Sequence, residues 1–148
     1  AIGAIPRLVE MGIDPYLIAP TLILSLAQRL VKKLAENGGQ EVPNEGAIKM
    51  MIEKQFEDLP DEYKSKLDIS RPLYEAVATP DSSSGTHGRI SVSEVFAVDK
   101  EMEKNILANP TDVSLWEAAR KKGMLSMKED AILKSMQKII PFQEVNTL

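Results

Sequence analysis

The sequence predicts a mainly helical α+β fold, in which a helical array is joined to one small antiparallel two-stranded ribbon. In the C-terminal third, Val98, Met102 and Ile106 recur at the four-residue spacing of one helix face. Ile90 and Val92 instead alternate with serines, which is the two-residue period of a half-buried strand. At 148 residues the chain is long enough to bury a core as one domain.

The first 27 residues predict two helices. Pro6 fits the first turn of a helix that Gly12 would close. Asp14 is a good N-cap and Pro15 a good first-turn residue, so a second helix is expected to run into residues 22–27. Pro20 would bend that helix, because a proline beyond the first turn removes a hydrogen bond.

The middle of the chain carries weaker patterns. Residues 29–34 read RLVKKL and fit either a helix end or a strand, since short mixed runs are ambiguous by periodicity. After a polar loop over residues 35–43, Asn44 is expected to cap a helix that Pro60 ends. A second short helix is expected over residues 72–77, followed by a serine-rich loop.

The C-terminal third predicts four helices from their end signals. Asp99 begins the first and Asn109-Pro110 stops it, Thr111 or Asp112 caps the second, and Gly123 terminates it. Ser126 and Glu129 form a capping box for the third. Pro141 precedes a last short helix. The helix capped by Thr111 or Asp112 is expected to bury Val113, Trp116 and Ala119 in the core.

Composition excludes several classes of function. The absence of cysteine excludes disulfides, thiolate metal sites and cysteine nucleophiles. A net charge of −4 gives no attraction to nucleic acid, which is not expected as a partner. The apolar run over residues 16–27 is shorter than the roughly 20 residues of a membrane-spanning helix, so no transmembrane segment is expected.

No catalytic, cofactor-binding or metal-binding residue is predicted. The chain has no Gly-x-x-x-x-Gly-Lys-Ser/Thr run, whose backbone N–H groups would surround the phosphates of ATP. His87 is the sole histidine and lies in a Gly/Ser/Thr-rich loop. A solvated loop residue is favoured over a catalytic base there, because a base must be held and oriented.

Three phrases resemble the type II secretion and type IV pilus assembly ATPases, which are P-loop motors. Residues 4–19 read AIPRLVEMGIDPYLIA and are followed by AQRLVKKL at residues 27–34. Residues 88–96 read GRISVSEVF, similar to the family's Gly-Arg-Ile-Gly-Ile-Tyr-Glu-Val strand. Gly123-Met124, with residues 127–130, resembles the family's Gly-Met-x-x-Leu-x-x-Asp helix start.

The resemblance implies that residues 1–148 are a C-terminal piece of a RecA-like ATPase domain, cut from a longer protein. The parent would be a hexamer that binds ATP and magnesium and works at the cytoplasmic face of the inner membrane. Its partners would be other subunits of the ring and an inner-membrane platform protein. The resemblance also selects a strand for residues 29–34, paired with residues 89–96. An edge left unpaired on either strand would favour self-association.

In many members of that family two Cys-x-x-Cys pairs between these strands suit tetrahedral zinc. The aligned positions here are Ala35 and Gly38, then Ala78 and Asp81. We therefore expect residues 35–84 to be a cysteine-free helical insert that replaces the zinc-binding segment. Apolar packing is expected to take over from the metal, through Ile48, Met51, Phe56, Leu73 and Val77.

Arg7, Arg29 and Arg89 lie inside the recognised phrases and are candidates for contacts between subunits. In a ring-shaped motor an arginine can reach the nucleotide of a neighbouring subunit. The alternative is ordinary pairing with Glu10, Glu94 or a helix C-terminus.

A stand-alone helical protein–protein interaction module is the rival interpretation. A helical DNA-binding domain is a third, and the acidic balance opposes it. A P-loop encoded upstream in the same gene would exclude the module.

Overall fold

The computed structural model describes all residues from Ala1 to Leu148 and confirms the α+β class. The helices are α1 (Ala4–Glu10), α2 (Pro15–Ile18), α3 (Gly46–Gln55), α4 (Asp61–Lys64), α5 (Lys100–Ala108), α6 (Asp112–Arg120) and α7 (Met127–Met136), with a 3₁₀ helix at Phe142–Thr147. The strands are β1 (Leu24–Leu34), β2 (Gly39–Val42), β3 (Leu73–Ala76) and β4 (Thr86–Ala97). None of the helices combines the length and the apolar character that a membrane-spanning segment needs.

The strands form two antiparallel pairs, β1 with β4 and β2 with β3. The pairing of β1 with β4 is the predicted ribbon. The second pair was not predicted, and in it Val42 lies opposite Leu73 and Gly39 opposite Ala76. The helix expected over residues 72–77 is therefore wrong. Its short apolar run suits a strand once β2 is there to satisfy its backbone groups.

The chain divides into two compact units, each described by itself. Unit 1 comprises Ala1–Ala27 and Glu94–Leu125, and unit 2 comprises Gln28–Ser93 and Ser126–Leu148.

The core of unit 1 is formed by α1, α2, α5 and α6. Its buried residues are Ile2, Ile5, Ile18, Ala19, Phe96, Met102, Ile106, Leu115, Ala118, Ala119 and Met124. Leu115, Ala118 and Ala119 share one helix face, whereas Val113 is 69% exposed, so the prediction that Val113 is buried is wrong. Which side of α6 packs inward was decided by where α5 lies, not by the sequence of α6 alone.

The second helix is shorter than predicted. It ends at Ile18, and β1 begins at Leu24 where the helix was expected to continue. Asp14 caps it as predicted, with its side chain accepting a hydrogen bond from the Tyr16 amide. Pro20 lies two residues after its end, where a proline is compatible with the chain leaving the helix.

The core of unit 2 is formed by α3, α7, β3 and the 3₁₀ helix together with one side of the ribbon strands. The buried apolar residues are Val31, Leu34, Ile52, Phe56, Leu59, Leu73, Val92, Ala131, Ile132, Met136, Ile140 and Val145. The capping box of α7 is confirmed, with Ser126 and Glu129 exchanging both hydrogen bonds. The predicted cap of α3 is wrong. Glu45 occupies the N-cap position, and the Asn44 side chain instead donates to the Ile69 carbonyl at 2.8 Å.

Candidate functional site

The three arginines proposed as contact residues all lie on the surface. Arg7 lies on α1 in unit 1, while Arg29 on β1 and Arg89 on β4 lie in unit 2. Each is exposed, and none of them takes part in an ion pair within the chain. The alternative of local pairing with Glu10 or Glu94 is thus not realised.

The strands that carry Arg29 and Arg89 are held at their outer edges. On β4, Asp130 accepts a hydrogen bond from the Ser93 amide at 2.8 Å, and the Lys134 ammonium donates to the Ser91 carbonyl at 3.0 Å. Asp130 and Lys134 also form an ion pair one turn apart on α7. Both side chains occupy backbone groups that a further strand would otherwise use.

On β1 the corresponding edge is covered by the chain's last residues. The Lys32 amide donates to the Glu144 carboxylate at 3.0 Å, and the Leu34 amide donates to the Ile139 carbonyl at 2.9 Å. Self-association was expected through residues 29–34 or 89–96, and backbone groups at residues 32, 34, 91 and 93 within these stretches are already occupied inside unit 2.

Beyond the ribbon, two tight turns lie at or next to the positions expected to align with the family's cysteine pairs. The Gly38 amide donates to the Ala35 carbonyl at 3.0 Å and closes the first turn. The second turn joins Thr79 and Ser82, one residue after the predicted pair of Ala78 and Asp81, and the Ser82 amide closes it at 3.1 Å. None of these residues offers a thiolate or an imidazole, so a tetrahedral zinc ion does not fit.

Backbone hydrogen bonds join this segment together. The Ala35 amide donates to the Gly85 carbonyl and the Val77 amide to the Gly38 carbonyl, both at 2.9 Å. Of the side chains expected to replace the metal, Phe56 and Leu73 are fully buried. Ile48 and Met51 are half-buried, and Val77 is 36% exposed. Direct peptide contacts thus hold the two turns together.

A polar pocket of about 610 Å³ lies beside the turns. Its lining includes Lys33, Asn37, Asp81, His87 and Lys138. His87 is exposed, and its imidazole forms no hydrogen bond or ion pair that would orient it as a catalytic base. No three His, Cys, Asp or Glu side chains are close enough to hold a metal ion. Lys138 lies over the Tyr74 ring, with its ammonium 5.4 Å from the ring centroid.

Charge in unit 1 is concentrated where α5 begins and α6 ends. The Lys122 ammonium lies 2.7 Å from the Asp99 carboxylate and 3.1 Å from that of Glu101. The Lys122 hydrogen bond and those from the Met102 and Glu101 amides hold the pKa of Asp99 below its usual range. Burial works to lower the pKa of Lys122, but hydrogen bonds to Asp99 and Glu101 outweigh it and raise that pKa. This ion pair joins the end of α6 to the start of α5.

The sequence interpretation missed an exposed apolar surface on the segment from α1 to β1. Tyr16 and Leu17 are 72% and 64% exposed. A signal was present in the sequence, since Pro15 and Pro20 limit α2 to about one turn, too short to bury every apolar residue around it.

Known proteins match this chain over almost its whole length. The family model described as type II/IV secretion system protein matches residues 1–147. The chain is 32% identical over 147 residues to the type IV pilus assembly ATPase PilB of Thermus thermophilus, a match that covers 98% of this chain and 15% of that protein.

Two type II secretion proteins are similar to the same degree. The identity is 30% to HxcR of Pseudomonas aeruginosa, over 88% of this chain and 22% of that protein. It is 31% to the type II secretion system ATPase E of Vibrio cholerae, over 98% of this chain and 27% of that protein. The chain spans less than a third of the length of each of these relatives.

Proposed function

Because this chain belongs to the type II/IV secretion system protein family, we propose that it is the C-terminal part of an ATPase that powers type IV pilus assembly or type II secretion. In this proposal the chain contributes contacts between subunits and transmits motion within a hexameric ring. The parent assembly lies at the cytoplasmic face of the inner membrane, peripheral to it, and its partners are the other subunits of the ring and a membrane platform protein.

The observation that carries the proposal is the extent of the match. Nearly the whole chain is similar to these ATPases, yet it covers only 15–27% of the three relatives described above. The chain itself has no glycine-rich phosphate loop. ATP and magnesium are therefore assigned to the remainder of the parent, and this chain alone is not expected to hydrolyse ATP.

The contact role is assigned to Arg7, Arg29 and Arg89. An exposed guanidinium that makes no ion pair inside its own chain is free to bind a carboxylate or phosphate on a neighbour. Arg29 and Arg89 project from strands whose edges are anchored to α7 and the 3₁₀ helix. A movement of the ribbon would therefore carry both arginines with it and would also be passed to the rest of unit 2.

A stand-alone helical interaction module is the second candidate. The exposed apolar residues around α2 favour it, because such a surface marks a protein-binding site on a monomer. The two candidates differ in what precedes the chain in its gene.

Calorimetry with ATP and magnesium tests the proposal, on this chain and on a longer protein extended upstream through the native gene. Binding by the longer protein alone supports the motor assignment. Failure of both to bind favours the interaction module, and binding by the short chain would contradict the proposal by revealing a phosphate site within it.

The arginines are tested in the longer protein. We expect Arg29→Ala and Arg89→Ala to weaken ring assembly, measured by native mass spectrometry, and to lower ATPase turnover. If the arginine reaches the neighbouring nucleotide, its loss should lower ATPase turnover by about a thousandfold or more. Arg71→Ala is the matched control, since Arg71 is exposed and pairs with Asp68 in its own chain. Equal assembly and turnover in all three variants would remove the contact role.

A further inference from the structure

An asparagine is followed by glycine at one place in the chain, Asn37-Gly38. Such a pair can react internally, because the backbone nitrogen of the glycine can attack the asparagine side chain and close a succinimide ring. Glycine has no side chain to hinder the attack, and the chain itself keeps the two reacting groups close. The remaining asparagines precede bulkier residues or a proline, which has no N–H to react: Asn44, Asn105, Asn109 and Asn146.

The Asn37 side chain is accessible to this chemistry. It is exposed, and its amide forms no hydrogen bond within the chain. Asn37 also lines the polar pocket of about 610 Å³ beside the turns, so water reaches it. The electrophile and the water that the reaction consumes are therefore both available in the folded chain.

The Gly38 peptide, in contrast, is fixed on both sides. Its amide donates to the Ala35 carbonyl at 3.0 Å, and its carbonyl accepts from the Val77 amide at 2.9 Å. Gly38 is also buried against the backbone of Gly85. Its nitrogen cannot give up its proton and turn toward the Asn37 side chain while these contacts last. The turn must therefore open before the ring can close.

We propose that Asn37 is a site of spontaneous deamidation that reacts when this turn opens. Hydroxide takes the proton of the Gly38 amide, and the nitrogen forms a bond to Cγ of Asn37. The Cγ–Nδ2 bond then breaks, and ammonia leaves with a proton from water. Water afterwards opens the succinimide ring. Cleavage of the new Cγ–N bond gives aspartate, whereas cleavage of the original peptide bond gives isoaspartate.

The isoaspartate product does not fit the turn. Its main chain runs through the side-chain carbons and is longer by a methylene group, so the Gly38 amide and the Ala35 carbonyl cannot meet in the same geometry. The close packing of Gly38 on Gly85 is lost with that bond. A transient opening is thereby converted into a lasting change in unit 2. The proposal concerns this turn and holds whether or not the parent is a motor.

Peptide mapping by mass spectrometry tests the site, after incubation at mildly alkaline pH in water enriched in the heavy isotope of oxygen. We expect Asn37 to take up heavy oxygen faster than the other asparagines. In native buffer its uptake should be about tenfold or more slower than in urea, because the open turn is a minor population. A peptide of residues 33–42 in the same two solvents corrects for the effect of urea on the chemistry. Asn37→Gln, which would have to close a larger ring, should resist modification.

A substitution outside the Asn-Gly pair examines the role of the turn. A β-carbon on Gly85 would lie 2.7 Å from the carbonyl carbon of Val77 and closer still to its oxygen, so Gly85→Ala must disturb the backbone that holds Gly38. It should speed deamidation in native buffer by about tenfold and leave the rate in urea unchanged. Gly3→Ala is the control, since a β-carbon there meets an ordinary contact. Circular dichroism shows whether Gly85→Ala stays folded. Urea below the unfolding transition of the unaltered chain provides the same test without a substitution.

The product is tested by its stability. The purified isoaspartate form should unfold at a lower urea concentration than the unaltered chain, whereas Asn37→Asp, which adds the charge without lengthening the main chain, should not. Equal rates at Asn37 and the other asparagines would overturn the proposal. So would equal corrected rates in native buffer and urea, or a folded Gly85→Ala chain that deamidates no faster.

Discussion

Gly38 packs its backbone directly against that of Gly85. A β-carbon built on Gly38 would lie 3.0 Å from the carbonyl carbon of Gly85 and closer still to its oxygen. The same carbonyl accepts the hydrogen bond from the Ala35 amide. The two turns can therefore approach this closely only because position 38 has no side chain.

Gly38→Ala should destabilise the chain by about 1–3 kcal/mol, since the added methyl group must push one turn away from the other. The measurement is the midpoint of urea unfolding, followed by circular dichroism. Gly3→Ala serves as the control, because a β-carbon there would meet its nearest neighbour, Asp112, at an ordinary 3.4 Å. Equal midpoints for both variants would show that the turns are not held in close contact.

The capping box of α7 predicts a second loss of stability. Ser126→Ala removes the hydroxyl that accepts from the Glu129 amide, which typically costs about 1 kcal/mol. Ser114→Ala is the comparison, since Ser114 contributes only its amide to the cap of α6. If Ser126→Ala unfolds at the same urea concentration as the unaltered chain, the box does not stabilise the helix.

The contact of Asp130 with β4 predicts a local effect. In Asp130→Ala the oxygen that accepts from the Ser93 amide and from Lys134 is lost. We expect faster hydrogen exchange at Ser93, measured by NMR. The Lys32 amide, which donates to Glu144, should be unchanged. Uniform acceleration at both amides would indicate general destabilisation instead of an opened β4 edge.

Asp99 makes the stability of unit 1 sensitive to acid. Its pKa is lowered in the folded chain, so the folded state binds this proton less readily than the unfolded state does, where the pKa is about 3.9. The stabilisation is therefore fully present above that value and is lost as the pH falls through the lower, folded pKa.

In Asp99→Asn the urea midpoint of unfolding should therefore decrease less steeply as the pH falls from about 3.9 through the lower, folded pKa of Asp99. Urea unfolding at a series of acidic pH values measures it. Glu117→Gln is the control, because Glu117 is exposed and takes part in no ion pair. An identical acid profile for Asp99→Asn and the unaltered chain would contradict this account.

The most accurate structural predictions came from signals that lie within a few residues of the feature they predict. Asp99, Thr111 and Ser126 cap α5, α6 and α7 as expected, because a cap depends on residues within one turn of the helix end. The strand predicted over residues 89–96 was also recognisable from its alternation, and in the structure it extends over Thr86–Ala97. Arg7, Arg29 and Arg89 lie inside the recognised phrases of the sequence. That none of them forms an ion pair within the chain became visible only in the folded structure.

Predictions failed where an element depends on distant residues. Residues 72–77 became a strand because β2 lies beside them, and residues 24–28 became part of β1 because β4 pairs with that strand. Sequence alone was enough to predict the family and the caps of α2, α5, α6 and α7, because each of these depends on residues that are close together in the chain. The folded chain was needed to reveal the β2–β3 pair, the close packing of Gly38 on Gly85 and the exposure of Tyr16, since pairing and burial depend on partners far away in the chain.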